Sequence, residues 1–67
     1  MIKTMVVKKV DGNCCFKHFY GDSDYHVIIN RDSEQSIDDA KLISIGDTIE
    51  YETYGNDFGF LLKILNT

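Results

Sequence analysis

The most regular pattern of hydrophobic and polar positions lies in the C-terminal third of the chain. From Thr48 to Tyr54 the two kinds of residue nearly alternate, with Ile49 and Tyr51 on the apolar side. A period of two is typical of a half-buried strand. Residues 55–57 (Gly-Asn-Asp) favour a turn, and the run Phe58–Leu65 after it is almost continuously apolar. The pattern therefore predicts a C-terminal hairpin of two strands, Thr48–Tyr54 and Phe58–Leu65.

Three earlier strands are predicted, and turn-forming residues separate them. Ile2–Val10 is rich in β-branched residues, and its loose alternation is typical of a strand that bends between two halves of a small barrel. Cys14–Tyr20 follows the turn at residues 11–13, and Tyr25–Asn30 follows the turn at residues 21–24. Loops this short predict a meander of three antiparallel strands.

The register between the second and third strands has two possibilities. A four-residue loop would pair Tyr20 with Tyr25, whereas a bulge would shift the pairing by one residue. The first possibility groups these residues on one face: Phe16, His18, Tyr20, Tyr25, Val27 and Ile29. The second groups a different set: Phe16, His18, His26 and Ile28. Because a one-residue slip exchanges the two faces of a strand, the register decides which side chains face solvent.

Residues 31–41 form the longest irregular segment of the chain. Ser33 or Ser36 can cap a single helical turn there, with Asp38 and Asp39 near its positive end. Together with the five strands, this segment predicts an all-β fold. The expected architecture is a small five-stranded antiparallel barrel with a short helical turn between the third and fourth strands.

Length and composition limit the chain to one domain, residues 1–67. This length is near the lower limit for independent folding, and a hydrophobic content of 43% favours a folded chain over a disordered one. No apolar run is long enough for a membrane-spanning helix or for the core of a signal peptide. Since the sequence begins at Met1, we expect a complete cytoplasmic protein. It would be a monomer, or a weak dimer formed through an unpaired strand edge.

The cysteine and histidine residues predict no metal site. Cys14 and Cys15 would face opposite sides of a strand, so a disulfide between them would need a strained turn. We interpret them as small buried or half-buried thiols. Together with His18 and His26 they match no common zinc spacing. No nucleophile, base and orienting group can be assembled either, so we predict no metal, no cofactor and no enzymatic activity.

Charge is distributed unevenly along the chain, whose formal net charge is −4. Residues 1–20 contain four lysines and one acid, a net charge of +3. Residues 21–67 contain three cations and ten acids, a net charge of −7. One part of the fold can therefore be basic while the molecule as a whole is acidic. The alternative interpretation is that mixed surface charge keeps a small domain soluble.

Two segments resemble the cold-shock domain, a small barrel related to the S1 domain. Gly21–Val27 is similar to that family's segment Gly-x-Asp-Asp-hydrophobic-Phe-Val, and Leu42–Glu52 is similar to its segment Leu-x-x-Gly-x-x-Val-x-Phe-Glu. The family's motif Gly-Phe-Gly-Phe-Ile falls on residues 13–17, where Phe16 keeps one ring. Its motif Phe-Val-His-Phe begins at His26, an imidazole in place of a phenyl ring. The resemblance implies an oligonucleotide-binding (OB) barrel that stacks aromatic rings on bases.

The leading functional prediction is the binding of single-stranded RNA or DNA in the manner of a cold-shock domain. The predicted site has seven residues: Lys8, Lys9, Phe16, Lys17, His18, His26 and Phe58. The three lysines would contact phosphates, and the phenyl and imidazole rings would stack on bases. Phe58 is predicted to be exposed in the last turn, where it would clamp a further base.

The alternative prediction is an acidic protein-interaction module, such as a small phage- or plasmid-type regulator that docks on a host protein. Its working surface would be acidic: Asp38, Asp39, Glu50, Glu52 and Asp57. Charged patches of this kind steer association with a basic partner more than they determine its affinity.

Overall fold

Six strands form one sheet in the computed structural model, which describes residues 1–13 and 16–65. The elements in chain order are β1 (Ile2–Val6), β2 (Lys9–Asp11), β3 (His18–Tyr20), β4 (His26–Ile28), α1 (Glu34–Ala40), β5 (Thr48–Tyr54) and β6 (Phe58–Ile64). Across the sheet the strands lie in the order β1-β5-β6-β4-β3-β2. The C-terminal hairpin is confirmed, with its second strand ending one residue earlier than predicted.

The predicted closed barrel of five antiparallel strands is wrong. The described residues contain six strands in a sheet that is not closed, and β4 pairs with β6 in parallel. The first predicted strand bends at Val7, whose N–H donates to the carbonyl of Asp47 (2.8 Å), whereas the N–H of Lys8 donates to the carbonyl of Tyr20 (2.7 Å). As a result β1 pairs with β5, and β2 pairs with β3 at the opposite edge of the sheet. The broader prediction of a mainly β chain is confirmed.

Alternate strand positions supply the core. Phe19 of β3, Val27 of β4 and Leu61 of β6 are fully buried, while their strand neighbours His18, Tyr20, His26, Ile28, Phe60 and Leu62 are half-buried. The buried hydrophobic residues among those described are Val7, Phe19, Val27, Ile29, Ala40, Ile43, Ile49, Tyr51 and Leu61. Because side chains of a strand alternate between its faces, the other face of β3, β4 and β6 carries a second set of large side chains.

The register between β3 and β4 is the shifted one. Tyr20 pairs with His26 and His18 pairs with Ile28. Five residues, Gly21 to Tyr25, therefore separate the paired ends. The unshifted alternative, with Tyr20 opposite Tyr25, is wrong, since Tyr25 instead packs its ring against Tyr51 with centroids 5.6 Å apart.

Helix α1 is longer than the single turn predicted for its segment. Its N-cap is Ser33, whose hydroxyl accepts from the N–H of Ser36 (3.3 Å). Ser36 is buried inside the helix, and its own hydroxyl accepts from the N–H of Asn30 (2.9 Å). Asp38 and Asp39 lie in the C-terminal half of α1, so their predicted position near its positive end is wrong.

Two further predictions concern membranes and cysteines. Within residues 1–13 and 16–65, no helix has the length and apolar character needed to cross a membrane. Cys14 and Cys15, which were predicted to be buried or half-buried thiols, lie outside the described residues.

Candidate nucleic-acid interface

A continuous row of rings crosses the face of the sheet opposite the core. We call it the aromatic row, and its members are His18, Tyr20, His26, Tyr54, Phe58 and Phe60. They come from β3, β4, β5 and β6, and in β3, β4 and β6 they occupy positions that alternate with buried residues. The alternation places all of these rings on one surface.

Strand register aligns four of the rings in one line across the sheet. Tyr20 pairs with His26, His26 pairs with Phe58, and Phe58 pairs with Tyr54. Consecutive ring centroids along this line are 5.6, 6.0 and 5.3 Å apart. Cross-strand aromatic pairs at such distances stabilise a sheet, and here they also form one extended aromatic surface.

Two further rings widen the line into a band. His18 stacks on His26 with centroids 5.2 Å apart and ring planes 10° apart. Phe60 meets both Phe58 and Tyr54 edge to face, with centroids 5.6 Å apart in each case. Tyr54 is 62% exposed, and the other five rings are half-buried. A patch of rings that is this continuous and this accessible is typical of a binding surface.

Cations lie at the β2–β3 end of the aromatic row. The Nζ of Lys9 lies 5.2 Å from the ring centroid of Tyr20, its partner in strand register. The guanidinium of Arg31 lies 4.5 Å from the ring centroid of Phe16. Lys17 and Arg31 line one cleft together with His18. This end of the row therefore combines aromatic surface with positive charge.

Acidic residues are found toward the β5 end. Glu52 pairs with Phe60 in register and is exposed, and Asp57 is exposed in the turn before β6. One acid also lies at the basic end, because Asp11 pairs with His18. Its carboxylate accepts from the N–H of Gly12 (2.9 Å). Positive charge thus predominates at one end of the row and negative charge at the other.

Most of the residues predicted for nucleic-acid binding lie near one another. His18, His26 and Phe58 belong to the aromatic row, and Lys9 lies over its first ring. The predicted exposed position of Phe58 in a turn is wrong, since it is half-buried as the first residue of β6.

The remaining predicted residues surround the basic end. Phe16 is 61% exposed, and together with Lys17 it lines the cleft beside His18. Lys8 is exposed at the bend before β2, and its backbone N–H bonds to Tyr20. Lys8 has no ring contact among the described residues, so it is a neighbour of the row and not part of it.

Sequence reasoning missed four residues of this surface: Tyr20, Arg31, Tyr54 and Phe60. Tyr54 and Phe60 could have been found, because they belong to the predicted hairpin. Tyr20 depended on the register of β3 and β4. The proximity of Arg31 to Phe16 had no signal in the sequence.

The acids predicted to contact a protein partner differ in their surroundings. Asp38, Glu52 and Asp57 are exposed, and Glu50 is half-buried. The carboxylate of Asp39 accepts from the N–H of Ile64 (2.9 Å) and from the Nε2 of Gln35 (3.0 Å). Asp39 therefore has a structural role, because it joins α1 to the end of β6.

Neither a metal site among the described residues nor a comparison with known proteins indicates a function. Among the described residues, no group of three or more His, Cys, Asp or Glu side chains could hold a metal ion. Comparison of the chain with protein-family models, with curated proteins and with solved structures found no match. The geometry of the aromatic row is the basis on which we assign a function.

Proposed function

We propose that this chain binds single-stranded nucleic acid, RNA or DNA, on the aromatic row and catalyses no reaction. The observation that carries the proposal is the line of four rings that are cross-strand partners on β3, β4, β6 and β5. Lys9 lies over the ring of Tyr20, at one end of this line. Every base has a π-face, so a row of rings accepts bases of any sequence. Each base–aromatic stack contributes about 1–3 kcal/mol.

The charge distribution supports the same function. A strand that stacks on the rings brings its phosphates near Lys9, Lys17 and Arg31, and neutralisation of phosphates releases counterions. The overall charge of −4 opposes a broad electrostatic attraction. Affinity therefore depends on stacking together with a few local cations, and we expect the phosphates of a bound strand to be contacted at the β2–β3 end of the row.

We propose further that the fold is a divergent, open form of the OB fold related to the cold-shock domain. The bend at Val7 supports this, because β1 and β2 are two halves of one segment that occupy the two edges of the sheet. Counted as one strand, they give five strands, with α1 between the third and the fourth. OB folds bind oligonucleotides on the face of their second and third strands, which correspond here to β3 and β4.

Fluorescence anisotropy of a labelled single strand of about eight nucleotides tests the function, since OB folds cover about 4–16 nucleotides. We expect binding at low salt, weaker binding of a duplex of the same sequence, and an affinity that falls as salt increases. Lys9→Ala should lower both the affinity and its salt dependence, while Lys41→Ala, which removes an exposed cation next to α1, should leave both unchanged. Absence of binding at low salt would refute the proposal.

A further inference from the structure

A small cleft lies at the basic end of the aromatic row. Its volume is about 110 Å³, and it is lined by Phe16, Lys17, His18, Ile28, Ile29 and Arg31. His18 belongs both to the cleft and to the row, so a ligand that follows the row from Phe58 through His26 reaches the cleft next. Among the described residues, the only ring that lines the cleft beyond His18 is Phe16.

Two cations face this one cleft. The guanidinium of Arg31 lies over the ring of Phe16, and a guanidinium held in this way can still donate its N–H groups to an anion. Lys17 is half-buried, and its ammonium supplies a second positive charge. None of the six lining residues is acidic, and neither cation forms an ion pair with another described residue. Asp32 follows Arg31 in the chain and is exposed.

The size of the cleft limits what it can hold. An apolar cavity of about 150 Å³ accommodates a benzene molecule, so a cleft of about 110 Å³ that opens to solvent accepts part of a single nucleotide and no more. Ile28, Ile29 and Phe16 offer apolar contacts to a sugar or a base edge. The two cations are suited to a phosphate group beside it.

We propose that the cleft binds the terminal phosphate, together with the adjoining part of its nucleotide, of a single strand whose neighbouring bases stack on the aromatic row. An internal phosphodiester carries one negative charge, whereas a terminal phosphate carries about −1.5 to −2 at neutral pH. Two cations in one cleft therefore match a terminal phosphate better than an internal one. The inference rests on the proposed function and adds the recognition of a strand end.

Calorimetric titration with three unlabelled oligonucleotides of identical sequence tests this inference. One carries a 5′-phosphate, one a 3′-phosphate, and one has hydroxyl groups at both ends. We expect one of the two phosphorylated strands to bind about tenfold more tightly than the strand without a phosphate, and with a steeper salt dependence. Inorganic phosphate should compete only weakly, because it lacks the stacked bases.

Two single variants and a matched control complete the experiment. Arg31→Gln and Lys17→Gln should each remove most of the preference for the phosphorylated strand, whereas Lys41→Gln should retain it. Equal affinities of the native protein for all three strands would overturn the terminal-phosphate site and leave the proposed function standing. Strong competition by inorganic phosphate would also overturn it, since the site would then not depend on the strand. Binding of none of the three strands would refute the proposed function itself.

Discussion

The imidazole ring of His26 is nearly parallel to that of His18, with ring centroids 5.2 Å apart. The two residues are diagonal neighbours on adjacent strands, since His18 pairs with Ile28 and His26 with Tyr20. His26 also contacts the rings of Tyr20 and Phe58. It therefore lies at the centre of the aromatic row and connects its two halves.

Replacement of this central ring should weaken nucleic-acid binding. We expect His26→Ala to raise the dissociation constant for a single strand by about tenfold or more, since one base–aromatic stack contributes about 1–3 kcal/mol. His26→Phe is the matched control, because it keeps a ring at the same position, and it should bind at least as tightly as the native protein. Anisotropy titrations at constant salt measure both. Equal losses in the two variants would show that the imidazole acts by its polarity and not by stacking.

Adjacent acids of α1 should differ in their effect on stability. Asp39→Ala removes the acceptor for the N–H of Ile64 and should lower the free energy of unfolding by about 1–3 kcal/mol. Asp38→Ala is the control, because Asp38 is exposed on the same helix, and it should change stability by less than about 0.5 kcal/mol. Urea denaturation followed by circular dichroism measures the difference. Similar values for the two variants would contradict the structural role of Asp39.

The aromatic row shows which parts of the structure could be predicted from sequence. The strand Thr48–Tyr54 was predictable because alternation along one segment is a local property. The parallel pairing of His26 with Phe58 was not predictable, because these residues are far apart in sequence and neither segment contains a local pattern that indicates which strand it pairs with. The shifted register at Tyr20 and His26 depended on a loop of five residues in place of four, and a one-residue change leaves no local signal. The way in which the strands join the rings into one row therefore became visible only in the assembled sheet.

Gly59 occupies a position on β6 that has no room for a side chain. A Cβ there would lie 2.6 Å from the carbonyl oxygen of Glu52 and 2.8 Å from the Oη of Tyr25. We expect Gly59→Ala to lower the free energy of unfolding by about 1–3 kcal/mol. Gly21→Ala is the control, since the nearest atom to its Cβ would be the sulfur of the flexible Met5 side chain, at 3.3 Å, and the carbonyl oxygen of Val6 would lie at an ordinary contact distance of 3.6 Å, so stability should change little. Chemical denaturation of both variants measures the two changes in the free energy of unfolding. An unchanged stability of Gly59→Ala would contradict the close packing around Gly59.

Alkaline pH should destabilise the fold through Tyr51. Burial raises the pKa of Tyr51 above its ordinary value of about 10, and the neighbouring Tyr25 raises it further. Between the unfolded and the folded pKa the native state keeps a proton that the unfolded state has lost. The contribution of Tyr51 to stability is therefore fully present below about pH 10 and is lost as the pH rises toward the folded pKa.

Denaturation at several pH values between about 8 and 11 tests whether the free energy of unfolding falls as the pH rises, since the range spans the ordinary tyrosine pKa. Tyr51→Phe should reduce the alkaline loss of stability relative to the native protein. Tyr54→Phe, which changes an exposed tyrosine on the same strand, should not. If Tyr51→Phe loses as much stability at alkaline pH as the native protein does, the loss is caused by groups other than Tyr51.

The central claim is that single-stranded nucleic acid stacks on the aromatic row. Titration of the isotopically labelled protein with a short single strand, followed by NMR of its aromatic side chains, tests that claim most directly. We predict upfield shifts of the ring-proton resonances of four residues, because a stacked base shields the ring beneath it: Tyr20, His26, Phe58 and Tyr54. The resonances of the backbone amides of α1 should not shift. Shifts confined to α1 and the acidic residues around it, or no shifts at low salt, would contradict the claim.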